Sequence, residues 1–211
     1  NSFIKLYKKN KLPNVILLNG PKGIGKATFA YHFINSILSD KEDYSYDFMN
    51  FTINPLNRSF RLINQQYHPN FYLIENFIHK RTIDIKQVKN MISYVNKTSY
   101  ERKIKFILID NAEYLNLSSV NALLKIVEEP PSNTFIIFIH NSSIKLIETL
   151  KSRCLKFNFF LSFDECIDAA NKIIQQNIYD IVNKDLINCY NTVGDFINLI
   201  NFSISSNRKI L

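Results

Sequence analysis

Apolar positions along the chain come in two alternating forms, short unbroken runs and longer stretches with helical spacing. The brief runs Val15–Asn19, Phe71–Glu75, Ile104–Asp110 and Thr134–His140 are β-rich, and a helical pattern follows each. That is the pattern of strands buried on both faces of a parallel sheet. Leu155–Phe159 is a weaker fifth candidate. Between the runs, Lys26–Leu38 sets Phe29, Phe33, Ile34 and Ile37 on one side of a helix. Ile85–Tyr94 does the same with Val88, Met91 and Ile92, and Ser118–Glu129 with Ala122, Leu123, Ile126 and Val127. Ser118 or Ser119 reads as the N-cap of the last helix and Pro130-Pro131 as its stop.

Strands that alternate with helices predict right-handed crossovers and an α/β layer with helices on both faces. Functional residues then gather at the carboxyl ends of the strands. The strand pattern stops near Phe160, and Ser162–Asn177, Tyr179–Tyr190 and Asp195–Asn207 read as three helices. The expected organisation is therefore an α/β domain over 1–160 and a small all-helical domain over 161–211. From Ser39 to His68 the signal is that of a loop, with one helix near Arg58–Gln66.

Gly20-Pro21-Lys22-Gly23-Ile24-Gly25-Lys26 follows a strand and opens a helix, the placement a phosphate-binding loop requires. Glycines let backbone N–H groups approach phosphate oxygens, the helix N-terminus adds a favourable dipole, and Lys26 can reach the terminal phosphates. The next position in such loops carries a hydroxyl for Mg²⁺, and here it is Ala27. Thr28 does not substitute, because one further residue turns a helical side chain by about 100°. The third strand ends in Asp110, the place for an acid that orients a hydrated metal. A hydrolase of this type needs a glutamate next; Asn111 stands there, an amide that takes no proton at neutral pH. Glu113 is a displaced candidate for that base, and Asn141 is either a water- or phosphate-orienting residue or a plain strand-end turn. Ser152-Arg153-Cys154 closes a helical stretch, Ile144–Lys151, and an arginine there is either a solvated cap or a group offered to a neighbouring subunit's nucleotide.

Composition changes this picture little. A net charge of +8 on 211 residues favours acidic partners such as nucleic acid, but it is spread thinly. The tightest cluster, Lys5, Lys8, Lys9 and Lys11, fits a solvated helix face as well as a phosphate track. Cys154, Cys166 and Cys189 form no CxxC pair, which points to a reducing cytosol and away from structural zinc. The apolar runs are too short to span a membrane, so no membrane association is expected. No signal-like segment opens the chain, whose first residue is Asn1, and a fragment or trimmed product is expected.

Several strings together carry a family resemblance. Leu18-Asn19-Gly20-Pro21-Lys22-Gly23-Ile24-Gly25-Lys26-Ala27, His68-Pro69-Asn70, and Ile83-Asp84-Ile85-Lys86-Gln87-Val88 are three of them. Asp110-Asn111-Ala112-Glu113, the run Asn121-Ala122-Leu123-Leu124-Lys125-Ile126-Val127-Glu128-Glu129-Pro130-Pro131, and Ser152-Arg153-Cys154 are the others. In these the chain resembles the delta-prime subunits of bacterial DNA polymerase III clamp loaders, members of the AAA+ group. The resemblance implies a P-loop AAA+ core with a five-stranded parallel sheet and a helical lid domain. It implies a cytoplasmic hetero-oligomer with tau/gamma and delta subunits, acting through the complex on a sliding clamp and primed DNA. It also implies that Arg153 is an arginine finger working in trans. The family's cysteine-rich zinc module has no counterpart between Ser39 and Pro69, so zinc is not carried over, and Asp195-Phe196 replaces the basic residue often found after Gly194. The carboxy-terminal collar domain of the family is not found in this sequence.

Ala27 and Asn111 predict a largely non-catalytic chain with weak ATP binding left open, and the resemblance implies that it is a stator-like subunit, part of the polymerase holoenzyme. The alternatives are an active AAA+ ATPase, such as a tau/gamma-type loader subunit or helicase loader, and a plain DNA-binding module.

Overall fold

Side-chain alternation decides how the sheet is buried. In the computed structural model, which describes residues 2–76, 82–97 and 104–205, five strands form one parallel sheet in the order β2-β3-β4-β1-β5. They are β1 (Val15–Gly20), β2 (Phe71–Ile74), β3 (Lys105–Ile109), β4 (Thr134–Asn141) and β5 (Leu155–Asn158). Register is set by pairs such as Leu73 with Leu108 and Leu108 with Ile137. Chain order and strand order differ, so each connection crosses over the sheet, as parallel strands require.

The helices are α1 (Ser2–Lys8), α2 (Lys26–Leu38), α3 (Arg58–Asn64), α4 (Ile85–Asn96), α5 (Leu117–Glu128) and α6 (Glu148–Lys151). After β5 come α7 (Phe163–Ile174), α8 (Lys184–Ile187) and α9 (Val193–Ser205). Val15, Leu17, Ile107, Ile109, Ile136 and Phe138 point to one sheet face, where Val88 and Met91 of α4 and Val120, Leu123 and Val127 of α5 cover them. The intervening positions point to the other face, because successive strand residues alternate. Aromatic rings fill that second layer: Phe106 stacks on Phe135 at 5.5 Å between ring centroids, and Phe33 meets Phe106 edge-on at 5.9 Å. Phe3 and Tyr7, one helical turn apart on α1, add edge contacts to Phe33 and Phe135.

Polar groups finish the elements. The ammonium of buried Lys105 caps the end of α4, donating to the carbonyls of Tyr94, Val95 and Lys97. Ahead of α3, both carboxylate oxygens of Glu42 are spent on Ser59 and Asn57, and Ser59 also contacts His68 at 3.2 Å. The cap of α5 is Asn116, whose side chain accepts from Ser119 N–H at 2.8 Å, rather than Ser118 or Ser119. Ser118 instead donates to Asn116, and Ser119 is committed to the Ile83 carbonyl. The expected helix Ile144–Lys151 shrinks to the single turn α6.

Contacts divide the chain into two compact units, one of Asn1–Asn19 with Ala27–Phe157, the other of Gly20–Lys26 with Asn158–Leu211. In the second, Cys166, Ile167, Ala170, Ile178, Phe196 and Ile200 build a helical core. Ser162 opens α7 with a reciprocal cap to Glu165. The expected helix Tyr179–Tyr190 is broken into a 3-10 turn, Ile178–Asp180, and the short α8. Asn177 and Asn183 each accept a backbone N–H two residues on, restarting the chain direction twice. Residues 206 and 207 of the last expected helix lie outside the described residues. Among the described residues no helix is long and apolar enough to cross a membrane.

Candidate functional site

β1 ends at Gly20, and the loop 21–25 leads into α2 at Lys26. Two of its residues have left-handed backbones, Gly23 at φ +84° and Gly25 at φ +93°, which favours glycine at both. The two differ in surroundings. A Cβ on Gly25 would meet nothing, whereas one on Gly23 would lie 2.6 Å from the Thr192 hydroxyl and 3.1 Å from the Gly194 Cα. Gly194 donates its N–H to the Gly23 carbonyl at 2.9 Å. Thr192 caps the start of α9 by accepting the Asp195 N–H and donates its hydroxyl to the Asp195 carboxylate at 2.7 Å. Ile24 is buried in the helical core beside Cys166 and Phe196. The loop is thus built as part of the helical unit.

Lys26 is almost fully buried, and its ammonium donates to the Gly20 carbonyl at 2.8 Å and the Pro21 carbonyl at 2.5 Å. The loop's cation is turned back on carbonyls of the loop itself, so an incoming phosphate would compete with those bonds. Lys22 is exposed, Ala27 is half-buried with only a methyl to offer, and the Thr28 hydroxyl belongs to an exposed residue.

At the strand ends, Asp110 accepts the Asn111 N–H at 2.9 Å. Asn111 has a left-handed backbone, φ 56° and ψ 55°, and its amide donates to Asn76 at 3.4 Å. Burial, then the Glu75 and Asp110 carboxylates, push the Tyr31 phenol up to about 12. Glu113 and Asn141 are brought together: Glu113 accepts the Asn141 backbone N–H at 3.1 Å. The Asn141 side-chain oxygen accepts the Ser143 N–H at 3.1 Å, an Asx turn at the end of β4. Beside it, buried His140 bridges Asn19 and the Ile144 carbonyl at 2.8 Å each.

Arg153 follows α6 and is about one-third exposed. Its Nε donates to the Glu128 carboxylate at 2.6 Å and one terminal nitrogen to the Thr149 carbonyl at 2.8 Å. Next to it, burial pushes the Cys154 thiol up to about 12. Sequence reasoning did not assign roles to Thr192 or Glu128. For Glu128 the signal was its place in the string before Pro130-Pro131; for Thr192 it was a hydroxyl three residues ahead of an acid at a helix start, the spacing of a cap.

A protein-family model described as "DNA polymerase III, delta subunit" matches residues 1–161. Among curated proteins, DNA polymerase III subunit delta' of Buchnera aphidicola subsp. Baizongia pistaciae is 30% identical over 158 residues, covering 72% of this chain and 45% of the relative. Subunit delta' of Pseudomonas aeruginosa is 29% identical over 140 residues, 66% of this chain and 41% of the relative. That of Bacillus subtilis is 24% identical over 194 residues, 91% and 55%. The chain thus spans about half the length of these relatives. A gamma subunit-related protein of DNA polymerase III from Thermotoga maritima superposes with TM-score 0.57 at 16% identity, over 95% of this chain and 58% of that one. A RuvB mutant from the same organism gives TM-score 0.51 at 14% identity, over 98% and 62%. At such identities the two structures bear on fold alone.

Proposed function

This chain belongs to the family described as DNA polymerase III, delta subunit, and on that footing we propose that it acts as a delta-prime-type clamp-loader subunit. In this reading it does not turn over ATP itself. It assembles with ATP-hydrolysing tau/gamma-type and delta-type subunits and presents Arg153 to a neighbour's nucleotide, so that the complex can open a sliding clamp and close it on primed DNA. Its own loop, with Lys26 bonded to Gly20 and Pro21, supports a scaffold role with at most weak nucleotide binding.

The observation that carries the reading is how Arg153 is held. Two contacts, Glu128 and the Thr149 carbonyl, orient the guanidinium without burying it. A partly exposed ion pair of this kind is worth roughly 0–1 kcal/mol. A transferring phosphate can therefore take the guanidinium from Glu128 at small cost, while the two contacts hold the side chain beforehand. Ala27 and Asn111 support the other half, since Ala27 has no hydroxyl to ligate a metal and the Asn111 amide takes no proton from water.

The test reconstitutes the chain with tau/gamma- and delta-type partners and measures ATP turnover with primed DNA and clamp. Arg153→Ala is expected to leave the chain folded and to lower turnover by at least about tenfold, a threshold set well below the roughly 10³–10⁵ that such arginines supply. Glu128→Gln keeps a neutral acceptor and should cost much less. Undiminished turnover in Arg153→Ala would remove the trans role; hydrolysis by the isolated chain at partner-like rates would favour an active ATPase instead.

A further inference from the structure

The candidate site leaves one feature of the α/β unit without a use, the segment between α2 and α3. Reciprocal backbone bonds between Asp47 and Thr52, 3.1 and 3.2 Å, close a tight loop. Its tip carries Phe48, Met49 and Phe51, all exposed, Met49 by 88%. Tyr44, also exposed, precedes it. Two of these residues have left-handed backbones, Tyr44 at φ 57° and Phe51 at φ 53°. Bulky aromatic residues rarely adopt that conformation, and each such residue costs on the order of 1 kcal/mol. Burial offsets that cost only in part, because Tyr44 is 56% and Phe51 49% exposed.

One cation sits on these rings. The Lys8 ammonium lies 5.0 Å from the Phe48 ring centroid. Lys5 and Lys8 are three residues apart on α1, opposite the face that Phe3 and Tyr7 bury, and both are exposed. Across 1–12 and 40–61 there are seven Lys and Arg against four Asp and Glu. Two of those acids are turned onto donors, Glu42 onto Ser59 and Asn57, and Asp47 onto the N–H groups of Met49 and Asn50.

We propose that the 44–51 loop and the outer face of α1 form a binding surface for single-stranded nucleic acid, with Lys5 and Lys8 on the phosphates and the exposed rings of Tyr44 and Phe51 stacking on bases. Exposed rings alone would suit many partners. Rings interleaved with a net positive rim fit a flexible polyanion that carries its own flat faces. An acidic peptide would use the cations and leave the strained aromatics without a purpose. None of these residues belongs to the clamp-loader reading, which uses Arg153 and the loop 20–26, so the surface stands or falls apart from it.

Fluorescence anisotropy of the whole chain with labelled oligothymidylate of about 16 nucleotides tests it. Binding should weaken with salt, with a logarithmic slope of about −0.7 for each phosphate engaged. Lys5→Glu combined with Lys8→Glu should weaken it at least about tenfold. Phe51→Gly is the discriminating variant, because it removes the ring and relieves the left-handed backbone together. It should bind at least about fivefold more weakly, as loss of one stacked base implies, while melting no lower than the parent. Retained affinity in Phe51→Gly, equal binding of blunt duplex, or equally effective competition by polyglutamate would each overturn the proposal.

Discussion

Gly194 and Gly23 meet backbone to backbone: the Gly194 N–H donates to the Gly23 carbonyl at 2.9 Å, and a Cβ on Gly194 would lie 2.7 Å from the Gly23 Cα. In a working phosphate loop the central glycine is there so that an anion can approach. In this molecule the close approach is made by another stretch of protein. The same residue type at the same spacing is retained, and a physical demand other than phosphate is enough to account for it.

Replacing Gly194 by alanine therefore pits two effects against each other. Alanine favours the first turn of α9 by up to about 1 kcal/mol. The new methyl, however, meets main chain rather than the end of a flexible side chain, and overpacking of that kind costs about 1–3 kcal/mol. Gly194→Ala should melt lower, by about 2–4 °C for each kcal/mol lost in a chain of this size. A thermal melt with an unchanged or higher midpoint would show that the contact is loose.

Restoring catalysis should take two substitutions, and one of them works against the backbone. Asn111 is left-handed, a conformation asparagine tolerates far better than glutamate. Asn111→Glu alone should cost about 1 kcal/mol of stability and give no turnover. Ala27→Ser alone should restore a metal-ligating hydroxyl and also give none. Only the double variant is expected to show Mg²⁺-dependent ATP hydrolysis by the isolated chain, so turnover from either single variant would contradict a pocket with two separate lesions.

Legibility in the sequence followed locality. The strands were readable because Ile107 and Ile109 go to one face and Phe106 and Leu108 to the other, all of them apolar, so the run is unbroken. Lys26–Leu38 was placed to the residue because its start is set by the loop's own chemistry. The sequence points two or three residues past the true cap of α5, since three hydrogen-bonding candidates stand within four residues and the distant carbonyl of Ile83 takes one of them. The break between Ile178 and Ile187 was missed because asparagine fits a helix pattern until its side chain takes a backbone donor. At the candidate site, residue types were legible but partners were not. Nothing local to Arg153 points to Glu128, 25 residues away. Nothing local to Gly23 points to Gly194.

The cysteines offer a check on packing around Arg153. The ordinary thiol value is near 9, and burial pushes Cys154 up to about 12, while its Sγ–H donates to the Leu150 carbonyl at 3.2 Å. Burial also raises Cys166, whereas Cys189 is exposed. Thiolate is the reactive form, so at pH 8 iodoacetamide should label Cys189 quickly and the other two only after denaturation. The sign of the pH effect follows from linkage. Below pH 9 Cys154 is protonated both folded and unfolded and has no differential effect; above it the unfolded chain ionises first, so stability falls as pH rises from about 9 toward 12. Cys154→Ala should remove that part of the alkaline loss, visible as a smaller drop in melting temperature between pH 8 and pH 10. If Cys154 labels as fast as Cys189 at pH 8, the turn that carries Arg153 is not packed as described, and the orientation given to its guanidinium fails with it.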